Sequence, residues 1–349
     1  MRSMIGERAA QNACMAALKD YRFALAWTLP LAVGLAAWRS PWAGWAVMLG
    51  IQVMLALIER ATPGWRSPAA SPSRPWFVWC LRLHVLWQAA LLVLGLWLAK
   101  DAPWPAAAAL GVAIGGISGS QGITFAHELG HSRSRVDRFC AWLLMSSVLY
   151  AHFIVEHYRG HHPRAAMRED PASARFGESL WRFLPRTVGG GFISAWRLEA
   201  QQRKQLRRGW QRSPLLWATL AQTAGLLLIA LALGPAALLF WLVQAAYAVF
   251  LLEAINYIEH YGLVRGEREP FALQHAWNAD HALTNCLIAN LQRHSDHHMH
   301  AWKPYATLDA LPGPQLPSGY AGCLFLASVP RLWFAAMHPR IAALKTGAA

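Results

Sequence analysis

Long apolar runs separated by short polar breaks set the pattern of this 349-residue chain. A helix crossing about 30 Å of hydrocarbon needs roughly 20 apolar residues, and on that measure the pattern predicts six spans. They cover residues 23–38, 40–58, 76–99, 102–126, 214–234 and 235–255. Residues 213–252 carry no charge, and Gly234-Pro235 breaks that run into a hairpin. Residues 139–155 are also apolar. They lie between two histidine clusters that must share one side of the membrane to build one site, so this segment is expected to lie in the interface or to re-enter and return. Residues 320–337, broken by Pro330 and Arg331, are expected to be peripheral. What remains, residues 127–213 and 256–349, is expected to form a helical cap. No internal repeat divides the chain, so the expected architecture is a single all-α integral membrane domain, 1–349.

Composition agrees with that pattern. Hydrophobic residues make up 55% and charged residues 14%, where a soluble domain carries about a quarter. Mean hydropathy is +0.23. A disordered chain is excluded, because disorder needs low hydrophobicity. The formal charge of +14, from 32 Lys+Arg against 18 Asp+Glu, would ordinarily suggest an anionic polymer as partner. Its distribution says otherwise. With six spans the N-terminal tail, the loop bearing Arg60, Arg66 and Arg74, and the region from Arg133 to Arg212 share one side, against Arg39 and Lys100 on the other. Basic loops stay cytoplasmic. The expectation is therefore a multi-pass protein of the cytoplasmic (inner) membrane, its histidines on the cytoplasmic side, with no nucleic acid as partner.

The five cysteines, Cys14, Cys80, Cys140, Cys286 and Cys323, form no Cys-x-x-Cys pair. They read as free thiols in a reducing compartment, without a zinc ribbon or a fused rubredoxin-like domain. No cleavable signal peptide is apparent. Arg2, Arg8, Lys19 and Arg22 precede the first apolar run, and no small-residue cleavage site follows it.

Chemistry enters with the 15 histidines. His127-Glu128-Leu129-Gly130-His131 continues the fourth span, and two His at i and i+4 lie about 6 Å apart on one helix face. Alone, the pentapeptide also fits the zinc-protease pattern or a pair of interfacial histidines. Glu156-His157-Tyr158-Arg159-Gly160-His161-His162 adds another i, i+4 pair with a third imidazole beside it. His294-Ser295-Asp296-His297-His298 follows, and His260 stands where the sixth span leaves the bilayer. Nine imidazoles from four places exceed the three that a zinc protease uses. Two ions with four or five nitrogen ligands each fit better. Imidazole suits Zn, Cu, Fe and Ni alike. Glu128, Glu156, Glu259 and Asp296 adjoin these histidines and are candidates to orient them, or else carboxylates balancing nearby arginines.

The boxes HELGH at 127–131, EHYRGHH at 156–162, NYIEHYGL at 256–263 and LQRHSDHH at 291–298 resemble the membrane fatty-acid desaturase/hydroxylase superfamily, and within it the alkane 1-monooxygenase family. The strings beginning at Asp170 and Pro314 follow the same pattern. The resemblance covers roughly residues 100–340, whereas spans one to three rest on hydropathy. It implies an O2-dependent enzyme with two non-haem iron ions that hydroxylates the terminal methyl of medium- or long-chain n-alkanes. Rubredoxin and rubredoxin reductase would supply the electrons. Carried over residue by residue, the ligands are His127, His131, His157, His161, His162, His260, His294, His297 and His298. Ser132-Arg133, Tyr158 and Ala306 depart from the family pattern and leave the substrate range open. An aryl-methyl (xylene-type) hydroxylase or a desaturase on the same scaffold is the alternative, and a membrane zinc protease or metal transporter a further one.

Other features admit two readings. His84, His152, His275, His281, His300 and His338 read as structural or solvent groups, with His152 and His281 the exceptions to watch. Gly111, Gly115, Gly116, Gly119 and Gly122 either let helices approach closely or leave a slot for a chain. Trp76, Trp79, Trp210, Trp217 and Trp302 look interfacial, while Trp27, Trp45, Trp87 and Trp241 lie deeper and could bound a channel. Arg133, Arg135, Arg203, Lys204, Arg207 and Arg208 meet anionic headgroups or dock an acidic electron carrier.

Overall fold

The computed structural model describes residues 21–71 and 75–346, apart from the Lys345 side chain. Cys14, Arg74 and the basic residues Arg2, Arg8 and Lys19 lie outside them. Among the described residues the structure is helical, with two isolated bridges (Arg66 with His281, Asn278 with Gln315) and no strand. A 3-10 segment Tyr21–Trp27 leads into α1 (Thr28–Arg39), followed by α2 (Pro41–Ala61) and α3 (Pro75–Ala99). Next, α4 (Trp104–Ile117) runs through a π-helical stretch, Ser118–Ile123, into α5 (Thr124–His131).

Among the described residues, four helical segments are long and apolar enough to cross a membrane: α2, α3, Trp104–His131 and the 47-residue α8 (Pro214–His260). The difference from the six expected spans has two causes. The first apolar run is divided between the 3-10 segment and the twelve-residue α1. The fifth and sixth runs follow one another in α8 as two helical stretches that meet at a kink, where Gly234 takes φ 84° and ψ 179°, a positive φ open to glycine. Pro235 follows, without a backbone N–H to continue the ladder. At the C-terminal end α11 (Tyr320–Ser328) and Pro330–Leu344 of α12 (Pro330–Thr346) meet at a 119° bend, so they form a broken span or a re-entrant pair.

Helix α6 (Arg135–Ser147) occupies most of the ambiguous stretch after the first histidine box. It ends in a reversal at Leu149, φ 58°, and is tied to α8 by Gln244 Nε2 donating to Ser147 O at 2.8 Å. The chain thereby turns back towards the second box. From the second box α7 (Leu180–Gln205) runs on towards α8.

Trp104–His131 is the buried centre of the bundle. The glycine stripe serves close packing along most of its length. A Cβ on Gly111 would strike Val243, one on Gly115 or Gly119 the backbone of Gln244 or Ala248, and one on Gly116 the Met48 side chain. Dispersion between closely approached backbones is the main attraction open to helices in lipid. Polar groups in the bundle find partners across it: Gln88 Nε2 donates to Ser118 Oγ at 2.7 Å, Gln121 Nε2 to Ala26 O at 2.7 Å, and the half-buried Tyr247 Oη to Gln52 Oε1 at 2.8 Å.

Candidate metal centre

The four histidine-bearing segments converge at one end of this bundle. His127 and His131 project from α5, immediately after the π-helical stretch, which resets the helix phase by its i→i+5 bonding. Gly130 between them is a close-approach position: a Cβ there would collide with the Tyr158 hydroxyl, which instead donates to His127 O at 2.8 Å. His260 ends α8. His294, His297 and His298 share the six-residue α10 (His294–Met299), and Ala282–Leu287 forms α9 just before it.

The second box holds a correction to simple helical spacing. Residues His157–His161 form a π-helical turn, so the facing pair is His157 with His162, their Nε2 atoms 2.9 Å apart. His161 points the other way. One turn of chain thus serves two groups of imidazoles. The first comprises His127, His131, His157, His162 and His297; the second His161, His260, His294 and His298. Within each, one nitrogen per residue lies within 4.8 Å of every other, and each group could hold a metal ion. His260 and His294 face each other with Nε2 atoms 3.1 Å apart. The helical pair His294/His298 stays in one group, while His297 turns to the other.

The donor chemistry fits cations. Nε2 of His127, His131, His161 and His297, and both ring nitrogens of His298, are buried without a hydrogen-bond partner. An orphaned buried polar atom is costly unless something satisfies it. Burial, reinforced by neighbouring imidazoles, holds His157, His162, His294 and His298 well below the ordinary imidazole range, and His297 at about 3. These rings are neutral, with lone pairs free for a metal.

Behind the imidazoles the carboxylates divide. Glu259 Oε1 stands 3.2 Å from His294 Nδ1 and accepts from Tyr320 Oη at 2.7 Å. The hydrogen bonds of the other three carboxylates run elsewhere. Glu128 accepts from Tyr305 N at 2.9 Å, Glu156 from Arg164 Nη2 at 2.7 Å, and Asp296 from His300, Lys303 and Asp309 N. Asp170, to which the spacing arguments gave no role, lies 2.8 Å from His161 Nδ1. Its signal was the short Asp-Pro string after the second box. His260 Nδ1 is 3.2 Å from His275 O. His275 thus meets the centre through its carbonyl. His152 lies among Tyr150 and Phe192, His281 against Thr62, His84 against Phe125, His300 on Asp296 and His338 on Tyr261.

An apolar cavity of about 120 Å³ runs from His127, His157 and His294 back between α2, α5, α8 and α11. Leu29, Met48, Ile51, Leu55 and Leu251 line its length, and Gly119 is the member of the glycine stripe that also faces it. No tryptophan lines it, so the deeper tryptophans do not bound it. A separate, open cavity of about 730 Å³ reaches His131 from outside, between Arg82, Arg133, Trp302 and Lys303.

The family model for fatty acid desaturase matches residues 102–336. The chain is 37% identical over 360 residues to alkane 1-monooxygenase 2 of Pseudomonas aeruginosa, covering 96% of each chain. It is 43% identical over 245 residues to alkane 1-monooxygenase 1 of the same organism, covering 68% of this chain and 64% of that one. To alkane 1-monooxygenase of Ectopseudomonas oleovorans it is 33% identical over 346 residues, covering 93% and 86%.

Proposed function

Because this chain belongs to the fatty acid desaturase family, and within it to the alkane 1-monooxygenases, we propose that it hydroxylates medium- or long-chain n-alkanes to 1-alkanols at two non-haem irons. The observation that carries this reading is the apolar cavity ending on His127, His157 and His294. A saturated hydrocarbon has no group to hydrogen-bond, so shape and dryness must hold it. Leu29, Met48, Ile51 and Leu251 provide both, directing a terminal methyl towards the imidazoles and keeping water from it.

The nine histidines are the proposed ligands, five to one iron and four to the other. Iron with O2 supplies the oxidant that an unactivated C–H bond requires, which no side-chain acid or base can provide. Around it the chain positions and insulates. Asp170 fixes His161 through its Nδ1 atom, and the Glu259 carboxylate lies against His294 Nδ1. Glu128, Glu156 and Asp296 hold the segments that carry the histidines: Glu128 joins α5 to Tyr305, Glu156 joins the second box to Arg164, and Asp296 anchors the loop after α10.

Electrons are proposed to come from rubredoxin, itself reduced by rubredoxin reductase. The outer cavity beside His131, with Arg82, Arg133 and Lys303 around an exposed Trp302, suits a small acidic carrier. The membrane arrangement that goes with this reading has six crossings, α8 supplying two of them by turning at Gly234. The whole chain is then one membrane-embedded domain in the cytoplasmic membrane, its histidine cap on the cytoplasmic side where the basic loops collect.

Metal analysis of protein purified from cells grown with iron tests the reading. Two irons per chain are expected, and His260→Ala should lose iron and activity together. One zinc per chain, or full activity in that variant, would contradict it.

A further inference from the structure

A second cavity, of about 630 Å³, lies beside the apolar one, between the end of α2, the turn at Arg66 and the start of α11. Its lining changes along its length. Val53, Leu57, Phe325 and Leu332 form a rim that is between 44% and 60% exposed, on helices that would face lipid. Glu59, Arg60, Arg66, Asp280 and His281 form the inner end. An apolar rim and a polar interior suit an amphiphile.

The wall between the two cavities is thin. Thr284 lines the apolar cavity and Glu59 the polar one, and Thr284 Oγ1 donates to Glu59 Oε1 at 2.6 Å. Phe325 lines both. At this place the partition is one hydrogen bond and one ring thick. Glu59, only 2% exposed, is fixed from its other side, accepting from Gly322 N at 2.7 Å and Ala321 N at 3.4 Å at the beginning of α11. On the Thr284 side the partition is this single hydrogen bond, which one rotamer change about χ1 would break.

We propose that this second cavity binds the 1-alkanol product, which reaches it past the Thr284–Glu59 pair. The proposal rests on the hydroxylase reading above. A hydroxyl group both donates and accepts, so an alkanol can replace Thr284 as the donor to Glu59 without leaving a buried carboxylate oxygen unsatisfied. An alkane cannot do this and stays in the apolar cavity. In the polar lining two arginines face two carboxylates, Glu59 and Asp280, and Asp280 is already paired with Arg293 at 3.0 Å. An ionised carboxylate has no proton to donate to Glu59, so a neutral hydroxyl head is favoured at that oxygen. The two cavities thus sort substrate from product by one functional group.

The test uses the iron-loaded enzyme in lipid nanodiscs and 1-dodecanol bearing a mid-chain diazirine. Photolabelling is expected on Val53, Leu57 and Leu332, the rim residues that line the second cavity alone. Excess 1-dodecanol should suppress it, and dodecane or laurate should not. Labelling confined to residues 120–127 and 251–256, or suppression by laurate equal to that by dodecanol, would overturn the proposal. In turnover, Thr284→Val should give a first equivalent of product followed by a steady rate about fivefold slower, as when release limits turnover. Thr284→Ser should restore it. A steady rate for Thr284→Val equal to that of the unaltered enzyme would count against passage at this point. If dodecane yields no alkanol at all, the hydroxylase reading fails, whereas alkanol formed without second-cavity labelling removes this proposal alone.

Discussion

Asp170 Oδ2 lies 2.8 Å from His161 Nδ1 and also accepts from Ser173 Oγ at 2.6 Å. The pair fixes the tautomer of His161 and turns its Nε2, buried without a hydrogen-bond partner, into the second imidazole group. Partners of this kind typically change metal affinity about 10–100-fold. Asp170→Asn is therefore expected to lower affinity by about that factor with little change in fold. A competitive chelator titration checks it, and an unchanged affinity would detach Asp170 from the centre.

The apolar cavity sets a length scale. Met48 lines it and packs against Gly116, which lies eleven residues, about three helical turns, before His127. Met48→Ala should open the far end and raise the kcat/KM ratio of longer to shorter alkanes about tenfold, as for methylene-scale changes in apolar pockets. Leu251→Phe should move the ratio the opposite way. Competition between alkanes of graded length, read by gas chromatography, measures both.

Electron delivery should be electrostatic. Arg82, Arg133 and Lys303 ring the cavity that leads to His131, and steering between exposed charges weakens as salt rises. Turnover driven by separate rubredoxin is expected to fall steeply with ionic strength. Arg133→Ala should raise the KM for rubredoxin several-fold and leave the KM for alkane unchanged. A salt-insensitive rate would place the docking surface elsewhere.

A pH dependence of stability follows from His152, which burial against Tyr150 and Phe192 lowers from 6.5 to about 4. The unfolded chain takes up the proton more readily than the folded one. This group's contribution is therefore intact above about pH 6.5 and shrinks as pH falls towards 4. Linkage puts the loss between pH 7 and pH 5 at about 2 kcal/mol. His152→Leu should flatten the pH profile of the unfolding midpoint over that range, and parallel profiles for the two proteins would refute the assignment.

Much of the architecture is legible in the sequence because bilayer depth imposes a length on every apolar run. The breaks expected at residues 40, 76 and 102 lie within two residues of the observed helix starts at Pro41, Pro75 and Trp104. The gathering of nine histidines at one end is likewise legible, since each box continues or adjoins such a run. Which imidazoles pair is not. The partition of His157 and His162 from His161 depends on a π-helical turn, and no residue spacing encodes that difference from an α-helix. Asp170 and Glu59 escape notice for a related reason: each is an isolated carboxylate whose partner, His161 in one case and Thr284 in the other, is supplied by folding. The deep tryptophans mislead in the opposite direction, because size and depth say nothing of which helix face meets the cavity.

The central claim is terminal hydroxylation, and product analysis tests it most directly. Purified enzyme with two irons, supplied with O2, rubredoxin, rubredoxin reductase, NADH and a mixture of dodecane, xylene and a fatty acid, is analysed by gas chromatography with mass detection. The account predicts 1-dodecanol as the principal product. Benzylic alcohol or alkene formed without 1-dodecanol would contradict it.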